Sequence, residues 1–306
     1  MSSTPLAPPH RADLVDPSIV AALGRIEVIA RWVVDGFLTG LHRSPRKGFS
    51  VEFAEHRPYQ AGDELRYVDW KIAARTDRWV VKQYEEETNL RVTIVLDVSR
   101  SMAWSGAATR LTKLAYAERL AAVLALLFLR QRDAVGLVRF DDRVRTAIPP
   151  RVRHGHWTRI VAALDDPGSG QASRAGDGLD QARRQISRRG WVVLISDLLM
   201  EGDDLLRATR ALRAAGHQVT VFHIMDPAER DLDASGDAIF VDPESEIEVP
   251  AAVAEVRGAY RATVEAALRE WRAALAAAGA SYEVVDTAQP FAVPMRRALN
   301  ARERQP

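Results

Sequence analysis

The chain contains no cysteine, which excludes disulfides, thiolate metal sites and cysteine nucleophiles. Net charge is also nearly absent: 42 Lys and Arg face 41 Asp and Glu, formally +1, so nothing electrostatic argues for nucleic acid or an anionic membrane as a main partner. There is no long apolar run. The longest, Leu120–Leu129, is bounded by Arg119 and Arg130, whereas a helix needs about 20 apolar residues to cross ~30 Å of hydrocarbon. The opening MSSTPLAPPHRADLVDP lacks the basic start and apolar centre of a secretory leader. No glycine loop ends in G-K-[ST] and no serine sits in G-x-S-x-G, so neither a P-loop nor a hydrolase elbow is present. Lysine is confined to Lys47, Lys71, Lys82 and Lys113, and the Arg- and Ala-rich usage is that of a GC-rich, bacterial coding sequence. These absences predict a soluble, cytoplasmic protein without membrane insertion.

What is present is ordinary in bulk, 47% hydrophobic and 27% charged, and long enough for one large domain with a smaller module. Residues 1–17 read as a loose tail. Residues 18–90 read as an N-terminal helix and a β-module. The helix is carried by Ile19, Leu23, Ile26, Ala30, Val33 and Phe37, an amphipathic face that needs a partner surface. Strand-like segments follow at Phe49–Phe53 and Trp79–Glu86. Between them, Arg57–Arg75 interleaves charges with Tyr59, Tyr67 and Trp70. Arg57, Asp63, Arg66, Asp69 and Arg75 are assigned there to a structural ion-pair cluster that fastens a loop.

From Arg91, strands alternate with helices up to about residue 303. Val92–Leu96, Ala134–Phe140, Trp191–Ser196, Val219–Ile224 and Tyr282–Val285 are apolar strands. Helices are predicted over Leu111–Arg130, His156–Leu164, Leu179–Ser187, Asp203–Ala215 and Val253–Ala278. Asp141-Asp142 turns the second strand into an antiparallel edge strand at Val144–Ile148. The pattern is that of an α/β protein with a doubly wound, mostly parallel, Rossmann-type sheet. A hairpin insertion is expected near 236–250, building a small β-module with the two strand segments before Arg91.

In such sheets ligands sit beyond the carboxyl ends of strands, where the winding reverses. Asp97 and Asp197 both stand at strand ends. Asp97, Ser99 and Ser101 place three oxygen-bearing side chains at alternate positions of one loop, a donor set suited to Mg²⁺. Asp177, in the Gly-rich loop 168–178, is the best-placed third donor. Taken alone, the D-x-S at Asp97 reads equally as a helix cap, and Asp197 reads first as one. His154 and His156 have metal-ligand spacing but no third partner in sequence.

D-x-S-x-S after the first sheet strand, then a helix with Lys113 and the strand A-V-G-L-V-R-F, resembles the von Willebrand factor A domain. More narrowly, R-P-Y-Q-A-G-D-E-L-R-Y-V-D-W-K-I-A-A-R, preceded by G-F-S-V-E-F-A-E-H and followed by E-E-E-T, resembles the bacterial Domain of Unknown Function 58 family. The likeness covers about Arg31–Ile224. It implies a von Willebrand factor A-like fold and a metal-ion-dependent adhesion site at Asp97, Ser99, Ser101 and Asp197. It also implies a chaperone-like role beside a MoxR-type AAA+ ATPase in maturing protein complexes. Where the resemblance would place a threonine, this chain has Gly176-Asp177-Gly178-Leu179. Either Asp177 is a direct ligand, or the fold persists without metal.

The expectation is therefore a non-enzymatic, protein-binding adaptor that docks an unidentified client through Mg²⁺. The alternative is a metal-dependent phosphohydrolase using the same residues. Against it, a haloacid-dehalogenase-type phosphatase needs a second acid two residues after the first, where this chain has Ser99.

Overall fold

The computed structural model describes residues 25–41, 56–59, 70–76, 79–82, 90–153, 155–166, 175–233, 236–241 and 248–303. The expected tail at 1–17 and strand at Phe49–Phe53 lie outside these residues, as do Asp63, Arg66, Asp69 and His154. The chain divides into two compact units, 1–39 with 90–306, and 40–89.

In the smaller unit, strand β1 (His56–Pro58) pairs antiparallel with β2 (Val80–Lys82), and α2 (Trp70–Thr76) lies between them in sequence. Trp79 packs edge-on against Tyr59 at 5.7 Å and against Trp70 at 5.8 Å. Arg75 is exposed in the last turn of α2. Nothing among the described residues joins it to the ion-pair cluster expected with Arg57, whose side chain is not described.

The larger unit is built on a six-stranded sheet in the order β10-β7-β6-β3-β4-β5. Its strands are β3 (Arg91–Asp97), β4 (Ala134–Phe140), β5 (Val144–Arg151), β6 (Trp191–Ser196), β7 (Gln218–Met225) and β10 (Ser281–Asp286). All neighbouring pairs are parallel except β4–β5, the antiparallel edge. β3 and β6 are buried almost end to end, as their runs of Val, Ile and Leu require of strands covered on both faces. The doubly wound sheet and its antiparallel edge are as the sequence predicts.

One face carries α5 (Ala175–Arg184), α6 (Gly202–Ala214) and the end of α8 (Val253–Ala277). There Leu179, Leu205, Leu212 and Leu275 pack on Val95, Leu194 and Val221. The other face carries α3 (Lys113–Arg130), α4 (His156–Leu164) and α9 (Ala292–Glu303). On that side Phe128 meets Trp191 edge-on at 5.3 Å, and Tyr116 stacks on Phe291 at 4.6 Å.

Four expectations need correction. Helix α1 (Ile26–Leu41) groups up to Thr39 with the sheet unit rather than with the β-module, and its Asp35 pairs with Arg130 at the end of α3. Its buried Ile26, Ala30, Val33 and Phe37 belong to the amphipathic face the sequence showed. The late hairpin, β8 (Asp237–Val241) with β9 (Glu248–Ala252), is a two-stranded sheet of its own among the described residues. Helix α5 begins at Ala175, four positions before Leu179, so Asp177 lies in its first turn and not in a loop. Of the apolar face predicted for α8, only Val253 and Leu275 are buried, and Val256 is exposed.

Candidate functional site

The sheet is wound in opposite directions from β3: the chain goes first to β4, then returns to β6 on the other side. The switch point therefore lies between β3 and β6, where Asp97 and Asp197 emerge. Ser196 Oγ, one residue before Asp197, donates to Asp97 Oδ2 at 2.6 Å, which ties the two strand ends together. The other carboxylate oxygen, Asp97 Oδ1, accepts from the Ser99 backbone N–H at 2.9 Å. Ser99 opens a 3-10 turn, Arg100–Ala103, but its hydroxyl makes no capping bond; it lies 3.1 Å from Ser101 Oγ. Asp97, Ser99, Ser101 and Asp197 are all buried and all belong to this one cluster.

The chain turns sharply after Asp197. Leu198 takes a left-handed conformation (φ 56°), unusual for a branched residue, and its N–H donates to Ser196 Oγ at 3.0 Å. Asp197 Oδ1 accepts from Leu199 N at 3.3 Å, so Asp197 is held by its own turn and does not cap α6, whose N-cap is Glu201.

Lys113 is the cation of the site. Thr112 Oγ1 caps α3 by accepting from Ala115 N at 3.1 Å, which places Lys113 at the first helical position. Its Nζ donates to Asp197 Oδ2 at 2.8 Å and to Glu229 Oε1 at 2.5 Å, and sits 5.9 Å from the centre of the Trp104 ring. Glu229 belongs to a capping box at the start of α7 (Pro227–Asp231). In that box its Oε2 accepts from Asp226 N at 3.2 Å, and Asp226 Oδ1 accepts from Ala228 N at 2.8 Å.

Aspartates end all the parallel strands: Asp97, Asp141, Asp197, Asp226 and Asp286. Four of them have a cation. Asp141 pairs with Arg145 at 2.6 Å, Asp197 with Lys113 at 2.8 Å, Asp226 with Arg110 at 3.2 Å and Asp286 with Arg230 at 2.9 Å. Asp97 has none among the described residues. Burial, joined by the nearby charge of Asp197, pushes its carboxyl up to about 7, against the pull of the Ser196 and Ser99 hydrogen bonds. Burial alone would lower the Lys113 ammonium, but the charges of Asp197 and Glu229 outweigh it and raise it. Burial also lowers His223, beside Ser196 on β7, to about 4; its Nδ1 is 2.6 Å from Tyr282 Oη.

The donor set fits a small hard cation. Two ligands at right angles on an ion with bonds of 2.0–2.1 Å lie about 3 Å apart, the separation of the two serine hydroxyls. Asp97 supplies a carboxyl group that has no cation beside it among the described residues. Among the described residues no three His, Asp or Glu side chains converge as a metal cage, so an ion here would rely on hydroxyls and water as well as carboxylate. Asp177 is exposed at the start of α5. His156 Nε2, 2.6 Å from the Val135 carbonyl oxygen, is committed to the backbone.

The profile of the family described as "Protein of unknown function DUF58" matches residues 55–273. The chain belongs to this family. A relative is "Uncharacterized protein Rv1480" of Mycobacterium tuberculosis, 32% identical over 240 residues, which are 77% of this chain and 74% of the relative. Among solved structures, the chain is similar to an aerotolerance-related membrane protein from Bacteroides fragilis (TM-score 0.45, 19% identity, 69% of this chain and 97% of that one). It is also similar to the SpRpn10 VWA domain (TM-score 0.42, 13% identity, 68% and 94%). No helix among the described residues is long and apolar enough to cross a membrane.

Sequence reasoning named Asp97, Ser99, Ser101 and Asp197 but gave no site role to Ser196, Lys113 or Glu229. Two signals could have found the last two. A lysine at the first position of a helix opposes the macrodipole, typically by 0.3–1 kcal/mol, and so calls for a nearby anion. Asp226-Pro227-Ala228-Glu229 has the spacing of a capping box, which announces a helix start beside a strand end.

Proposed function

We propose that this DUF58 protein is a non-enzymatic adaptor that docks protein partners through a Mg²⁺ site at Asp97, Ser99, Ser101 and Asp197. In this reading it works in the cytoplasm beside a MoxR-type AAA+ ATPase, with a chaperone-like role in maturing protein complexes. The observation that carries the site is Asp97: a buried strand-end carboxylate next to two serine hydroxyls, without the cation that each of its four counterparts has. The bound ion would supply positive charge at the rim of the sheet for a partner's carboxylate. Trp104 beside Lys113 and Leu199 beside Asp197, 42% and 57% exposed, offer apolar contact area around that polar centre. The ATPase rests on the family resemblance, and the cytoplasmic setting on the expectation drawn from the sequence.

The test is a pull-down of a purified MoxR-type ATPase from the same source on the immobilised full chain. Retention is expected in Mg²⁺, with loss in EDTA and loss for Asp97→Ala. Binding that persists unchanged in EDTA would remove the metal from the mechanism. Turnover of a generic phosphate ester in Mg²⁺ or Mn²⁺ would overrule the adaptor reading in favour of a phosphohydrolase.

A further inference from the structure

The candidate cation site already has a fixed positive charge in contact with one of its carboxylates. Lys113 is 1% exposed in a chain with few lysines, and it stands where the helix dipole disfavours it. Its position is determined from several sides. The Thr112 cap and a bond from Lys113 N to the Trp104 carbonyl oxygen (3.0 Å) fix its backbone. Asp197 and Glu229 fix its ammonium. Glu229 is itself anchored, by the capping box through its side chain and by Tyr260, whose hydroxyl donates to the Glu229 carbonyl oxygen at 2.6 Å. A buried ammonium held this way is expensive to desolvate, and an apolar side chain would fill the same volume at less cost.

We infer that Lys113 sets the metal affinity of the site, acting as a resident competitor for Asp197. This rests on the Mg²⁺ reading above and goes beyond it. The ammonium neutralises Asp197 and repels an incoming divalent ion, so Asp97 and the serine hydroxyls hold that ion weakly on their own. Three carboxyl groups, of Asp97, Asp197 and Glu229, face one ammonium, enough to admit a divalent cation and too few to retain it firmly. A carboxylate brought by a partner adds the missing charge. Metal and partner therefore load together, each raising the affinity for the other by the same factor. Lys113 is a positioning residue here and not a ligand.

The experiment is calorimetric titration of the full chain with Mg²⁺ and Mn²⁺, with no partner present, for wild type, Lys113→Met, Lys113→Gln and Asp97→Asn. Wild type is expected to bind weakly and both Lys113 variants at least tenfold more tightly, with binding lost in Asp97→Asn. A merely structural lysine predicts the opposite sign, since loosening the site weakens every ligand. If Lys113→Met does not fold, Lys113→Gln, which keeps hydrogen bonds to Asp197 and Glu229, gives the same reading. Wild-type binding with equal or weaker binding in a folded Lys113 variant overturns this inference alone. No binding in any variant overturns the metal reading and this inference with it.

Discussion

Replacing Asp97 by Asn in the metal-free protein is expected to stabilise it, although Asp97 is the residue on which the proposed site depends. In the folded chain the Asp97 carboxyl is raised from 3.8 to about 7, because burial and the charge of Asp197 oppose ionisation more than Ser196 and Ser99 favour it. The folded-state value lies above the unfolded one. The contribution of Asp97 to stability is therefore fully present below about pH 4 and is lost as pH rises through 7. A difference of about three pH units corresponds to at most about 4 kcal/mol at pH 7.5. An amide cannot accept both present hydrogen bonds, which gives back about 1–1.5 kcal/mol, so the net gain is about 1–3 kcal/mol at pH 7.5 and near zero at pH 5. Urea unfolding in EDTA, followed by circular dichroism at both pH values, measures it. Adding Mg²⁺ at ~100 times its Kd should then stabilise wild type by about 2.7 kcal/mol and leave the Asn variant unchanged. A variant no more stable than wild type at pH 7.5, or a gain that is the same at pH 5, would refute the picture of an uncompensated buried charge.

Other outcomes follow from neighbouring features. A Cβ on Gly178 would lie 2.0 Å from the Asp141 carbonyl oxygen, so Gly178→Ala should lower stability by about 2 kcal/mol or more, read as a drop in Tm. His223 is held neutral by burial, with its value lowered from 6.5 to about 4. Its contribution is present above pH 6.5 and lost as pH falls through 4, up to about 3 kcal/mol, and a His223→Gln comparison across that window should isolate it. Trp104→Ala should leave unfolding within about 0.5 kcal/mol of wild type yet weaken ATPase capture at least tenfold, and unchanged capture would take Trp104 out of the docking rim.

The sheet was legible because its strands follow one rule. Trp191–Ser196 and Ala134–Phe140 are apolar runs bounded by Gly or charge, and the structure forms them with those same limits. The two strand-end aspartates were legible because winding order alone brings them to one place. Helix α5 was started too late because Gly176 and Gly178 look like loop residues. They serve close approach instead: a Cβ on Gly176 would meet Asp204 Oδ2 at 1.9 Å, and Gly178 lies against the backbone of Asp141. No local pattern reveals a tertiary contact of that kind. Helix α8 was assigned a buried face from periodicity, but its 25 residues span about 37 Å while the six of β10 span about 20 Å. Nearly half of the helix outruns the strand it leads into, and that part of its apolar face is left without a sheet to cover. The Lys113 ion pairs join residues more than 80 positions apart, a separation that sequence spacing does not resolve.

The order of strands also fixes when the centre comes into being. β3 lies in the middle of the sheet, yet its partner across the winding reversal is translated only after α3, the β4–β5 hairpin, α4 and α5. At bacterial or eukaryotic elongation rates, Asp197 is made on the order of 5–20 s after Asp97. Through that interval a nascent chain carries the D-x-S-x-S loop with no Ser196 to grip it and no Asp197 for Lys113 to bind. Ribosome-bound fragments that stop short of β6 should therefore be blind to divalent ions, and competence should arrive in a single step once β6 is inserted.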